Sequence, residues 1–571
     1  MKKLLFILLQ LTASIAIHGQ QNIVIRSNQL GYFPDQEKVI VVEGVNPESI
    51  ITVKNNKGKV LASPSILRMV KSPWSSKERY VVDLGTLNTP GRYIITVKDL
   101  SQEIVVRPDV LSDITKAALK FFYLMRSGVN IEKEYAGMYA RPAAHLDTYV
   151  LIHPSAATEQ RPAGSAISSP LGWYDAGDYN KYIVNSAYSI GVMLLAYQEN
   201  IDYFKRLDTH IPESGNSTPD ILDEMMFNLR WMLTMQDPND GGVYHKLTTP
   251  NFEGFVMPSA CQQQRFVVAK SVTASLDFAA VMAQAARVFK NNTDYVEFAT
   301  QAEQAAVKAY QWAMDHPTAF YNQMALSRQY QPAVNTGTYG DGNAQDECFW
   351  AATELYLLTG ENDYLTMVAQ TKPTAFTTPV WGMVAGLAAL DWVAALDKPL
   401  NGDMTNQLAA YAESLVERAK LSSFQAPFGD RKEDFGWGCL AEQCCMPAFA
   451  LLFADKYVKK GYYRKYAQEN ADYILGRNPL GYCYVTGFGQ KSPMHPHHRI
   501  SEADGITNPF PGMLVGGPNP GQQDKGAGLN YASNLPDESY LDEMPSYASN
   551  EIAINWNASL VALLAWLDAI H

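Results

Sequence analysis

From Pro108 to the C-terminus, segments of helical period follow one another with no strand-like run between them. This constrains the fold more than any other feature. Eleven such segments can be traced between residues 114 and 569, each with an apolar stripe at i, i+3, i+4 spacing. Helices of this kind must bury their stripes on one another, and the connections between them are long and rich in Gly, Pro and Asn. The pattern predicts an all-α toroid of paired helices whose loops build the binding surface. No repeat of fixed period is present, which disfavours a solenoid.

The stretch before Pro108 has a different texture. Runs such as Val39-Ile40-Val41-Val42, Ile51-Thr52-Val53-Lys54 and Tyr93-Ile94-Ile95-Thr96-Val97 alternate with period two, and breaks such as Asn55-Asn56-Lys57-Gly58 separate them. They predict a β-sandwich over residues 22–107, read as a packing module, followed by the helical domain over 108–571. A chain of 571 residues is long enough for both. Met1-Lys2-Lys3, the apolar run from Leu4 and the small residue Gly19 read as a signal peptide over 1–19. No cysteine follows that run, so no lipid or membrane anchor is expected, and the protein is placed in the periplasm or outside the cell.

A net charge of −12 without a basic cluster argues against nucleic acid as a partner. The six cysteines form no C-x-x-C pair, and buried free thiols are expected. The 32 Tyr and 10 Trp, with apolar faces and polar edges, suit flat ligands with hydroxyl rims such as sugars.

Chemistry concentrates in a few places. In the stretch from Gly172 to Tyr182, Asp175 and Asp178 stand three residues apart among glycines and aromatic rings, just before a long apolar run. Two carboxylates at the mouth of a helix can share a cavity, where mutual repulsion and burial separate their proton affinities and one can activate water. They can equally cap a helix beginning near Tyr179. Glu551 opens the last, almost wholly apolar helix, where a carboxyl would lose hydration and keep its proton, as a general acid requires; the dipole of a first turn also favours Glu there. Met494-His495-Pro496-His497-His498-Arg499 suits a rigid loop aiming an imidazole and a guanidinium at hydroxyls, or a metal site. Thr338 to Glu347 suits helix capping better than calcium, because few oxygen ligands are visible. His245 beside Lys246 is either a satisfied loop histidine or a substrate contact.

Three separated motifs, Gly172 to Tyr179, Val485 to Arg499, and Tyr540 through Tyr547 to Ala558, together resemble glycoside hydrolase family nine, the cellulase family. The preceding sandwich resembles the immunoglobulin-like domain that one branch of that family carries. The resemblance implies an immunoglobulin-like β-sandwich followed by an (α/α)6 barrel. It also implies an inverting endo-β-1,4-glucanase acting on cellulose-like chains, xyloglucan or mixed-linkage glucan. Within it Asp178 matches the base, Asp175 its partner in holding water, and Glu551 the acid, while Asp542 takes a supporting catalytic position. His497 and Arg499 match residues that bind sugar hydroxyls, and His245, Tyr339 and Trp437 fall at cleft-lining positions. No cofactor is required; structural calcium is left open. The zinc ligands of some members are not matched, since the region reads Arg126-Ser127-Gly128 and Ala140 to His145, so no zinc is expected. Glu442 brings an acid to the cleft where relatives differ. The partner is a β-glucan polysaccharide or oligosaccharide, and the protein is expected to be a monomer. The rival readings are an exo-acting oligosaccharide hydrolase of the same fold and a binding toroid without catalysis. Retention of all three acids argues against the latter, since unpaired buried carboxylates are costly.

Overall fold

The computed structural model describes residues 22–62 and 64–571; the segment read as a signal peptide lies outside them. The N-terminal part is a sandwich of two antiparallel four-stranded sheets. One sheet has the order β1-β2-β6-β5, from β1 (Val24–Arg26), β2 (Val39–Glu43), β5 (Ser65–Lys71) and β6 (Glu78–Asp83). The other has the order β4-β3-β7-β8, from β3 (Ile51–Asn55), β4 (Val60–Ala62), β7 (Gly91–Val97) and β8 (Leu100–Val106). Ile40, Val42, Val53, Tyr80, Val82 and Ile95 interdigitate between the sheets, and the period-two alternation follows from that.

Twelve helices of ten or more residues dominate the rest of the described residues. They are α1 (Ser112–Leu124), α2 (Ile183–Glu199), α3 (Asp220–Thr234), α4 (Val272–Phe289), α5 (Val296–Asp315), α6 (Gln345–Thr359), α7 (Asn362–Thr371), α8 (Ala385–Ala394), α9 (Asn401–Leu421), α10 (Met446–Tyr457), α11 (Tyr463–Ile474) and α12 (Ile554–Ile570). The even-numbered helices touch in the closed order α12, α2, α4, α6, α8, α10, and the odd-numbered ones lean on them from outside. This is an (α/α)6 barrel. The inner position explains the sequence of these helices: Ile183 to Ala196 of α2 and Ile554 to Leu567 of α12 are buried on every side. α4 has the length and apolarity of a membrane span, yet it stands in the inner ring.

Three expectations from periodicity need correction. The helical part does contain strands: β9 (Val150–Ile152), β10 (Ala166–Ile167), β11 (Lys181–Tyr182), β12 (Lys246–Thr248) and β13 (Phe266–Val267) form a small sheet at one mouth of the barrel. Asp175 and Asp178 therefore cap no helix. Lys181 and Tyr182 pair with Leu247 and Lys246, and α2 starts only at Ile183. Glu551 is likewise not in a first helical turn, because a short helix, Tyr547–Asn550, ends just before it and α12 begins three residues later. Between them the chain is extended, Glu551 bridging to His497 and Ile552 to Val515.

The sandwich is fastened to the loops of the barrel. Gln29 Oε1 accepts from the backbone N–H groups of Gln490 and Lys491, just ahead of the histidine loop. Arg79, almost wholly buried, donates to Glu43, Ser423 and Asp537 and lies over the Phe424 ring. Removing its charge would strand two buried carboxylates. Arg79→Met is expected to cost about 3 kcal/mol, read as a lower midpoint in chemical denaturation; an unchanged midpoint would show the joint to be idle.

Candidate active site

The loop between β10 and β11 carries the paired aspartates, and its backbone is tied at several points. Tyr174 N–H donates to Met125 O, Asp175 N–H to Asn180 O, and Arg499 N–H to Gly177 O. Gly177 is the crossing point. A Cβ there would stand 2.3 Å from His497 O and 3.2 Å from Glu551 Oε1, so only glycine lets the aspartate loop, the histidine loop and the Glu551 segment meet. Gly177→Ala is expected to lower kcat by about 100-fold through displacement of the carboxyls, with the barrel still folded by circular dichroism; wild-type kcat would show that the crossing tolerates movement.

Asp175, Asp178 and Glu551 all open on one cavity of about 510 Å³. Tyr182, Phe252, Tyr339, Trp381, Trp437 and Trp556 give it aromatic walls. A second cavity of about 350 Å³ shares Phe252, Trp437 and Glu551 with the first and adds His497, Arg499 and Tyr547. The two form a groove with Glu551 at its waist. Stacking faces on both sides of a carboxyl are what a chain of sugar rings needs.

The three acids are held differently. Asp175 accepts from Asn185 Nδ2 at 2.7 Å and from the Tyr339 hydroxyl at 2.7 Å, so both oxygens are engaged. Burial, and then the charge of Asp178, pushes its pKa up to about 8. Among the described residues Asp178 accepts on Oδ2 only, from Asn180 Nδ2 at 2.5 Å, the Asn180 N–H at 3.4 Å and the Tyr182 hydroxyl at 3.2 Å, and Oδ1 is left to the cavity. Glu551 has no hydrogen-bonding side-chain partner among the described residues. Burial and the neighbouring Asp178 raise its pKa to about 8. The result is a carboxyl group with a free oxygen on the same cavity as Glu551, whose raised pKa keeps it a carboxylic acid at neutral pH.

The other expected residues divide. Tyr339 and Trp437 line the groove, and Trp437 is 43% exposed with its ring beside Tyr547. His497 donates from Nδ1 to Met544 O and keeps Nε2 for the second cavity; burial lowers its pKa to about 4, so the ring is neutral. Arg499 spends two donors on Glu253 O and Gly177 O, its guanidinium lying near the Phe252 and Phe255 rings. Glu442 enters the main cavity from a π-helical turn, Leu440–Cys445, and burial raises its pKa to about 8.

His245 does not line the groove. Its two ring nitrogens are taken by Ser271 Oγ and Thr338 O, and its ring stacks on Tyr321 at 4.1 Å, wholly buried. Asp542 does not reach the cavity either. Its carboxylate accepts from the N–H groups of Met494 and His495 and from Asn550 Nδ2, which makes it a pin for the histidine loop and not a catalytic group. Phe252 and Trp381 were not anticipated. The available signal was an aromatic ring set in a Gly-, Asn- and Pro-rich connection.

The residues considered for metals are otherwise occupied. His145 Nδ1 pairs with the Tyr174 hydroxyl, and Arg126 is clamped by Glu213 and Glu224. Asp341 accepts from Asn343 N–H and Asp346 from Val384 N–H, as turn and cap residues do. Among the described residues no group of three or more His, Cys, Asp or Glu side chains is placed to hold an ion. All six cysteines are free thiols.

A ring of paired helices with an acid and a carboxylate across an aromatic groove defines a carbohydrate-cleaving hydrolase. Residues 112–564 match Glycosyl hydrolase family 9, and residues 20–102 match the Cellulase N-terminal ig-like domain. The chain is 52% identical over 556 residues to a xyloglucan-specific endo-beta-1,4-glucanase of Bacteroides ovatus, spanning 96% of this chain and 94% of that one. It is 31% identical to Endoglucanase D of Acetivibrio thermocellus over 97% of this chain and 84% of the relative. Among solved structures, a family 9 protein of Bacteroides ovatus superposes with a TM-score of 0.91 at 51% identity, over 96% of this chain and 99% of the other. A mutant thermostable endoglucanase of Alicyclobacillus acidocaldarius gives 0.84 at 30% identity, over 95% and 99%. The chain belongs to glycoside hydrolase family 9.

Proposed function

We propose that the protein is a secreted or periplasmic, monomeric endo-β-1,4-glucanase that hydrolyses its substrate with inversion, and that xyloglucan is its preferred substrate. The division of labour between the acids supports the mechanism. Asp178 Oδ1 draws the proton from an attacking water that Asp175 helps to hold, while Glu551 gives its proton to the departing glycosidic oxygen. Inversion requires about 6.5–9.5 Å between the two carboxyls so that water fits between them. His497 Nε2 and the remaining Arg499 donors hold hydroxyls beside the waist of the groove, Tyr339 and Trp437 carry sugar faces, and Asp542 positions the histidine loop. No cofactor takes part.

The observation that carries this reading is that Glu551 is shared by two adjoining cavities, one on either side of it. An internal bond of a long chain can lie across the acid, and branched glucan needs room on either side. The likeness to the xyloglucan-specific enzyme supports the choice of substrate. The test is digestion of xyloglucan, mixed-linkage glucan and cellulose, followed by proton NMR and chromatography. A ladder of oligosaccharides appearing as α-anomers, fastest from xyloglucan, is expected. First-formed β-anomers would overturn the mechanism, a single short product the endo mode, and a faster rate on unbranched glucan the substrate.

A further inference from the structure

Lys246 on β12 is a wholly buried ammonium with no ion-pair partner among the described residues. Its Nζ donates to Gln323 Oε1 at 2.6 Å, Thr336 Oγ1 at 2.9 Å and Gly337 O at 2.6 Å, all neutral acceptors. A buried cation without a counter-ion is costly and needs a reason. The charges that face it are Asp178 and Asp175, from the loop ahead of β11. The other titratable groups around it are phenols and a neutral ring: Tyr182 from β11 and Tyr321 lie each with the ring centre 5.5 Å from Nζ, and His245 is stacked on Tyr321.

Two routes lead from Lys246 to the same carboxylate oxygen, the first a continuous line of hydrogen bonds and the second passing through the backbone of Gly337. In the first, Thr336 Oγ1 stands 2.7 Å from Thr248 Oγ1, and the Thr248 hydroxyl stands 3.1 Å from Asn180 Oδ1. Asn180 Nδ2 then donates to Asp178 Oδ2 at 2.5 Å. The Asn180 amide can point only this way, because its Oδ1 also accepts from Thr249 N–H at 3.0 Å. In the second, Gly337 O accepts from Lys246 while the Gly337 N–H, which belongs to the preceding peptide group, donates to the Tyr182 hydroxyl at 3.1 Å, so the two bonds are joined only through the Gly337 backbone. That hydroxyl donates to Asp178 Oδ2 at 3.2 Å. With Lys246 charged, every donor in the first line can point from cation to carboxylate when the Thr248 hydroxyl chooses Asn180 Oδ1 over Thr249 O at 2.9 Å, the sense in which bonds in a chain strengthen one another.

We propose that Lys246 is a positioning residue for the base, holding Asp178 ionised and turned so that Oδ2 is anchored and Oδ1 faces the attacking water. The inference rests on Asp178 being that base. Burial lowers the Lys246 pKa to about 7, so the cation is present throughout the acidic range. Without the cation, Asp178 gains its proton at higher pH, and the acid limb of the rate profile moves upward.

The test is kcat, KM and the full pH profile of the whole chain on xyloglucan oligosaccharides, for the wild type, Lys246→Met and Thr336→Val. Lys246→Met is expected to lower kcat by about 10- to 100-fold with KM within about threefold, and to move the acid limb up by roughly one pH unit. Thr336→Val keeps the charge and cuts one line, and should move the limb the same way by less. A folded Lys246→Met with an unmoved acid limb overturns the proposal, even if kcat falls, since a merely structural lysine would do that. Should Lys246→Met fail to fold, Thr336→Val decides alone: a shifted limb supports the relay and an unmoved one overturns it. Full activity in Asp178→Ala would remove the premise itself, an outcome distinct from both.

Discussion

Glu551→Gln is expected to lower kcat on xyloglucan by about 1,000-fold while leaving oligosaccharide affinity within about threefold. The amide has the same shape, and the glutamate side chain accepts no side-chain hydrogen bond among the described residues, so little besides the proton is lost. The leaving group discriminates further. A dinitrophenyl glycoside departs without protonation, and the variant should cleave it at a rate near wild type. Equal losses on both substrates would mean that Glu551 is not the acid. In the wild type the same group sets the basic limb. Its pKa is raised to about 8, so the acid form persists through neutrality and rate is lost as pH rises past that value. Burial likewise raises the Glu442 pKa to about 8 and Glu442 opens on the same cavity, but among the described residues no hydrogen bond links its side chain to Glu551; Glu442→Gln should leave the basic limb in place.

The sequence made the two architectures plain because each has its own period. Inner-ring helices such as α12 are apolar all round and sandwich strands alternate, and both patterns are local. What it hid were features that depend on distant partners. Lys181 and Tyr182 look like the first turn of α2, yet they pair with Lys246 and Leu247 more than sixty residues away, and this strand pairing moves the helix start past the aspartates. Glu551 looks like a helix opener, but His497 and Val515 draw its segment into extended bridges. His245 looks like a loop residue, and only the tertiary fold shows that Ser271 and Thr338 have taken both its nitrogens. The paired carboxylates stood out among glycines and aromatics, but that stretch alone left helix capping equally open, and the roles expected of Asp175, Asp178 and Glu551 came from the resemblance of three separated motifs. The relay behind them was not legible, because Lys246, Thr336, Thr248 and Asn180 meet only once the small sheet at the barrel mouth has formed.

Asp178→Ala is expected to lower kcat by about 10,000-fold, the largest single effect, because without a base the attacking water must lose its proton unaided. Asp175 cannot substitute. Its two oxygens are bound to Asn185 and Tyr339, and its raised pKa leaves it protonated at the pH where Asp178 works. Removing Asp178 also takes a negative charge away from both neighbours, so the pKa values of Asp175 and Glu551 should fall. The basic limb of the residual activity would then move to lower pH, which a passive structural aspartate far from Glu551 could not cause. The truncated side chain leaves space for a small anion beside the groove. Azide at molar concentration should enter it, attack the anomeric carbon without needing a base, and give the α-glycosyl azide by a single inversion. Recovery of rate with that product identifies Asp178 as the base. Recovery with the β-azide would mean two displacements and a covalent intermediate. Asp178→Ala at wild-type rate without azide would move the base to another residue, and with it the meaning of every hydrogen bond that converges on Asp178 Oδ2.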